Sequence, residues 1–199
     1  MMSDSPQPAM LRRVNVRQLT GSDTLVGKTD GQRDAPKFVN LVFGDDREES
    51  LLWDWSGIEV ATASYFATTI IPLMRMITSG ELAKYFLFAG LNKNCLDEFA
   101  LVLNAEGLVA MLVKLKNEKV ASVDLVGKLD PVYANTFREV IRHGAISAAE
   151  LFKHSQSRGK SQIGKTAWVN RLTGLNRLRL LRKEKVGREF VFRAPFMEV

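Results

Sequence analysis

With 199 residues, 46% of them hydrophobic and 25% charged, the chain has room for one large domain or for an ordinary domain with a small companion, and its balance excludes a disordered or fibrous polymer. Its longest apolar runs, such as FATTIIPLM at residues 66–74, fall short of the roughly 20 residues a membrane span needs, and the N-terminal stretch lacks a secretory core, so a cytoplasmic protein with no membrane contact is expected. The net charge of +6 is unevenly placed: residues 141–199 hold 13 Lys and Arg against 4 Asp and Glu, a balance of +9 over a body at −3, which points the C-terminal third toward a polyanion.

Residues 1–37 mix turn formers with short alternating pieces, of which RRVNVRQL (12–19) is the best strand candidate. FVNLVFG (38–44) then reads as a strand, DDREES (45–50) as an exposed turn, and SLLWDWSGIEV (50–60) as an apolar strand running into a polar loop, with Asp54 anchoring a turn. The spacing in ASYFATTIIPLMRMI (63–77) predicts a helix with Phe66, Ile70, Leu73, Met74 and Ile77 on one face and a kink at Pro72. KYFLFAGL (84–91) is the next strand. Asn94 is expected to cap a helix that turns Leu96, Phe99, Ala100 and Leu103 inward and stops at Gly107. Strands at 108–115 and 122–129 flank a turn at KNEKVA, and Asp130 with Pro131 starts a helix that buries Phe137, Val140 and Ile141 and ends at Gly144. Strands alternating with helices define an α/β layer. The expected division is an N-terminal segment over 1–37, an α/β domain with a mixed sheet over 38–143, and a small C-terminal domain over 144–199.

ISAAELFKHS (146–155) has the pattern of a capping box, Ser147 with Glu150, and of a hydrophobic staple, Ile146 with Leu151. It runs into GKSQIGKT (159–166), which matches the spelling of a phosphate-binding loop in full. That loop works after a buried strand, whereas here a helix precedes it and only 33 residues follow Thr166, so the string is read as the turn into a second helix. In that helix Trp168, Leu172, Leu175 and Leu178 form the packed face, while Thr166, Asn170, Thr173 and Arg177 lie on the opposite one. Arg171 falls nearer the packed face and suits a structural ion pair. RLLRKE and REFVFR then pair as a hairpin around KVG, with Lys185 and Arg188 near its tip.

The stretch WDWSGIEVATASYFATTIIPLM (53–74) resembles the central strand, loop and helix of STAS domains, the fold of anti-sigma factor antagonists, and of STAS-like domains in bacterial proteins. The resemblance implies a protein partner and a serine phosphorylated at the head of the helix. The corresponding residues are Thr62, Ala63 and Ser64, with Ala63 at the phosphoacceptor position, so only Thr62 or Ser64 could serve as a regulatory acceptor; the alternative is that Ser64 caps the helix. Residues 146–193 resemble the winged helix-turn-helix domains of small bacterial regulators. By that resemblance the second helix enters the major groove of duplex DNA, where Thr166, Asn170, Thr173 and Arg177 meet base edges, and Lys165, Arg182, Lys183, Lys185 and Arg188 neutralise phosphates.

No catalytic constellation is recognisable around His143, His154 or Cys95, and one cysteine with two histidines is too few for a structural zinc site, so neither catalysis, metal nor cofactor is expected. The leading expectation is a DNA-binding transcription regulator whose STAS-like half binds a protein partner or forms a homodimer. The alternative is a protein–protein adaptor or partner-switching protein without DNA binding, and a third is nucleotide binding at 159–166.

Overall fold

The structure is a computed structural model that describes residues 11–43, 48–157 and 163–197. The described chain starts as β1 (Leu11–Asn15) and turns through the short helix α1 (Val16–Thr20), where Asn15 Oδ1 accepts the Gln18 N–H at 2.9 Å. After β2 (Thr24–Leu25) and helix α2 (Gly27–Phe43), it returns as β3 (Glu49–Asp54). β4 (Val60–Ala61), helix α3 (Ala63–Ser79), β5 (Lys84–Ala89), helix α4 (Lys93–Glu106) and β6 (Val109–Lys116) continue the alternation. β7 (Lys119–Gly127) folds back through Asn117 and Glu118, both left-handed. The main sheet has the order β1-β3-β5-β6-β7, with the first four strands parallel and β7 antiparallel; β2 and β4 pair separately.

Because the parallel strands follow one another without reversal, right-handed crossovers put α2, α3 and α4 on the same face. There Trp53, Phe86, Phe88 and Ala110 of the strands meet Phe38, Phe66, Ile70, Phe99 and Leu103 of the helices in one core. The alternate strand residues Leu52, Leu87, Met111 and Val113 point the other way into a second core. That face is covered by the rest of the chain: helix α5 (Pro131–His143), β8 (Ala145–Ser147), helix α6 (Ala148–Ser157), helix α7 (Lys165–Arg177), β9 (Arg182–Val186) and β10 (Glu189–Arg193). β8, β10 and β9 form a three-stranded antiparallel sheet in that order. All six residues of β3 and of β5 are buried as a result, the pattern of strands covered on both faces. Core packing therefore does not break at Gly144: α5 before it and α6 and α7 after it share one core with the sheet.

The mixed α/β class and the expected elements from residue 49 onward are present, but the N-terminal reading is corrected. Residues expected as turns at 28–36 and as a strand at 38–44 together form α2. Gly31, Asp34, Phe38 and Val42 make its buried face, and Pro36 lies on the solvent side, where the bond it removes can be replaced by water. Gly31 permits the packing on α3, since a Cβ there would stand 2.7 Å from Thr68 Cβ. Of the expected turn at 45–50, residues 45–47 lie outside the described residues and Glu49 and Ser50 are buried in β3. Asn92, not Asn94, caps α4, its Oδ1 accepting the Cys95 N–H at 2.9 Å, and α3 runs continuously through Pro72. Asp54 is the last residue of β3 and anchors the turn after it as expected, its carboxylate accepting hydrogen bonds from the Ser56 N–H at 3.0 Å and the Arg13 guanidinium at 2.7 Å.

The α2–α3 contact holds a buried carboxylate. Asp34 is fully buried and accepts hydrogen bonds from Arg33, from Lys37 and, at 3.2 Å, from the Tyr65 hydroxyl. Burial pushes the Asp34 carboxyl up, but the hydrogen bonds and charges of Arg33 and Lys37 outweigh it and hold it below the ordinary carboxylate range. Its stabilisation is therefore complete above the unfolded carboxylate pKa of about 3.9 and is lost as pH falls through the lower folded value. Urea unfolding of Asp34→Asn should show a loss of about 2 kcal/mol at neutral pH that shrinks toward zero below about pH 4; a loss independent of pH would remove the carboxylate's role.

Candidate nucleic-acid interface

Local sequence signals set up the C-terminal unit. Ser147 and Glu150 form the expected reciprocal cap: the Ser147 N–H donates to Glu150 Oε2 at 2.7 Å and the Glu150 N–H to Ser147 Oγ at 3.3 Å. Ile146 and Leu151 are both buried beside it. The Ser147 N–H and hydroxyl hydrogen bonds hold the Glu150 carboxyl below its usual range. The α7 helix begins at Gly164, which offers no side-chain cap, and Trp168, Leu172 and Leu175 anchor it in the second core. Gly174 lies against Tyr133 of α5, where a Cβ would stand 2.4 Å from Tyr133 Cε1. At the C-terminal end, Asn176 Nδ2 donates to the Leu181 carbonyl at 2.8 Å and Arg179 takes a left-handed φ of 57°, which turns the chain into β9.

The outward side of α7 carries the expected residues: Lys165, Thr166, Asn170 and Arg177 are exposed and Thr173 is half-buried. Arg171 lays its guanidinium 5.3 Å from the Trp168 ring centroid, a cation–π contact in place of the expected ion pair. In the hairpin, Lys183 stands opposite Phe192 and Lys185 opposite Phe190, so these four share one face. Phe192 is buried in the second core, which also holds Leu172 and Leu175, so the base of this face is covered. Nearer the tip, past the edge of the core, Phe190 is 50% exposed and Lys183 Nζ lies 3.9 Å from its ring centroid. Lys183, Lys185 and Arg188 are exposed, and Gly187 opens the two-residue turn in a left-handed conformation.

Arg182 is corrected. It is 7% exposed, on the opposite face of β9, with its guanidinium 5.1 Å from the Tyr85 ring centroid, so it is not part of the basic surface. Strand alternation explains the error: a basic run of consecutive residues in a strand cannot present all its charges on one side. Phe190 was missed for the converse reason, because alternation pairs it with the buried Phe192 and does not reveal where the core ends. The Gly174–Tyr133 contact leaves no signal in the sequence.

Gly159, Lys160, Ser161 and Gln162 of the phosphate-loop string lie outside the described residues; the element before them is the helix α6, and the one after is α7. At the head of α3, Thr62 occupies the N-cap position, its Oγ1 accepts the Gly27 N–H at 2.9 Å and lies 3.1 Å from Ser64 Oγ, and Ser64 is exposed. Ser64 does not cap this helix: Glu98 of α4 accepts the Ala63 N–H at 2.7 Å. Cys95 is buried, and burial pushes its thiol up. His143 and His154 stack at 4.7 Å between α5 and α6, and no group of acidic, histidine or cysteine side chains among the described residues is arranged to hold a metal ion. No helix among them is long and apolar enough to cross a membrane. No family model, curated protein or solved structure matches the chain.

The seating of α7 is testable at its tightest point. Gly174→Ala should lower stability by about 1–3 kcal/mol through overpacking, and Tyr133→Ala in the same chain should remove most of that increment in a double-mutant cycle. Additive losses in urea unfolding would mean that α5 and α7 do not meet there.

Proposed function

We propose that this chain is a DNA-binding regulatory protein in which residues 131–197 act as a winged helix and the main sheet with α2, α3 and α4 acts as a STAS-like layer for partner binding or dimerisation. The observation that carries this reading is the exposure of Thr166, Asn170 and Arg177 on α7 together with that of Lys183 and Lys185 on one face of the hairpin. The order α5-β8-α6-α7-β9-β10, with a sheet ordered β8-β10-β9, supports it, because helix–strand–helix–helix–hairpin is the connectivity of a winged helix. In this role Asn170 and Arg177 pair with base edges in the major groove, since an amide fits adenine and a guanidinium fits guanine bidentately. Lys165, Lys183, Lys185 and Arg188 neutralise phosphates, and the uncapped first turn of α7 adds backbone N–H groups. Parallel strands in sequential order with three helices on one face support the STAS-like part, and the exposed Ser64 is the acceptor such a layer could use.

A second reading, a protein–protein adaptor, draws on Val169, Val186 and Phe190, which are 42%, 55% and 50% exposed on the same unit. Fluorescence anisotropy with a labelled random duplex separates the two. Binding at low salt should fall steeply with salt, and Lys185→Ala with Arg188→Ala should reduce the slope of log K against log salt by about 0.9 for each phosphate left without its cation. Absence of duplex binding at low salt, or a slope unmoved by the double substitution together with Arg177→Ala, would leave the adaptor.

A further inference from the structure

Among the described residues, the base of the hairpin holds more positive charge than its carboxylates neutralise. β9 and β10 place Arg182 directly opposite Arg193, so two guanidiniums share the hairpin face turned away from Lys183, Lys185 and Phe190. Like charges in that position repel, and more so out of water. Arg193 Nη2 donates to Glu184 at 2.6 Å, but its Nε has no hydrogen-bond partner among the described residues. Arg182 has none for Nε or Nη2 among them, although both atoms are buried and the residue is only 7% exposed; its guanidinium lies over the Tyr85 ring. Arg179 lies over the same ring at 5.6 Å, and the carboxylate it meets among the described residues, Glu48 at 3.8 Å, already accepts the Tyr85 hydroxyl at 2.7 Å. Among the described residues, three guanidiniums thus share two carboxylates, and the most buried of the three has neither.

A guanidinium in this state is costly without a counter-charge, and its planar fork of N–H donors matches an oxyanion. We propose that the base of the hairpin is a binding site for a small phosphate, free or as a monoester, held by Arg182 and Arg193 with Arg179 at its rim. A dianion offsets the excess charge, and a tetrahedral group accepts from two forks on different strands, which a single flat carboxylate does less well. The site is separate from the basic surface above and does not depend on the DNA-binding reading.

The test is thermal unfolding and titration calorimetry of the full chain with inorganic phosphate, glycerol phosphate and acetate at matched ionic strength. Wild type should give a saturable heat and a rising Tm with phosphate but not with acetate, the affinity falling at least tenfold in Arg182→Met and staying unchanged in Arg138→Met, which removes the same charge from the exposed side of α5. Tighter binding of glycerol phosphate than of inorganic phosphate would identify a monoester as the ligand, and the reverse order the free ion. Arg182→Met should be as stable as wild type without phosphate, because it deletes an unpaired buried charge; if it fails to fold, Arg182→Lys, which keeps the charge but not the fork, gives the same readout. A Tm rise that does not saturate, one matched by acetate, or one retained in the Arg182 variant would overturn the proposal.

Discussion

Burial of the parallel sheet on both faces is the constraint on which the rest of this structure depends. Trp53 and Phe88 need one covering layer while Leu52 and Leu87, their neighbours in the chain, need another. The crossover helices α2, α3 and α4 can supply only the first, because unreversed right-handed connections keep them together. The second must come from the residues after β7, and so the C-terminal helices and hairpin are packed as a lid on hydrophobic strands, not tethered as a bead on a linker. At roughly 25 cal/mol for each Å² of apolar surface withdrawn from water, removing that lid would expose a face too large to remain stable.

This packing divides every C-terminal element into two sides. Along α7, Trp168, Leu172 and Leu175 are committed to the core, which leaves Thr166, Asn170 and Arg177 outward. In the hairpin, strand alternation puts Lys183, Lys185 and Phe190 on one side and Arg182 and Arg193 on the other. One basic segment therefore becomes two surfaces of different character: an exposed one that carries Lys183 and Lys185, and a sheltered one where Arg182 lies over Tyr85. The polar contacts that seat the unit, such as Ser50 Oγ donating to the Pro195 carbonyl at 2.7 Å, sit at the ends of β3 and β5, where the two-sided core gives way.

What the sequence by itself determined was most of what local rules govern, although the cap of α4 fell to Asn92 and not to Asn94. The Ser147–Glu150 cap, the Asp130–Pro131 helix start, the Gly107 stop and the burial of Ile70, Phe99 and Leu172 follow from spacing and capping chemistry acting within a few residues. The outward set on α7 followed from helical period alone. Only the tertiary structure decided what depended on distant partners. The segment 38–43 is helical because Phe38 and Val42 extend a face begun by Gly31 and Asp34 and closed by α3, and a short apolar run carries no sign of that. Arg182 is buried, Phe190 is exposed and Gly174 is crowded because β-strand alternation, the reach of the core and Tyr133 meet at those points, and none of the three is a property of neighbouring residues in the chain.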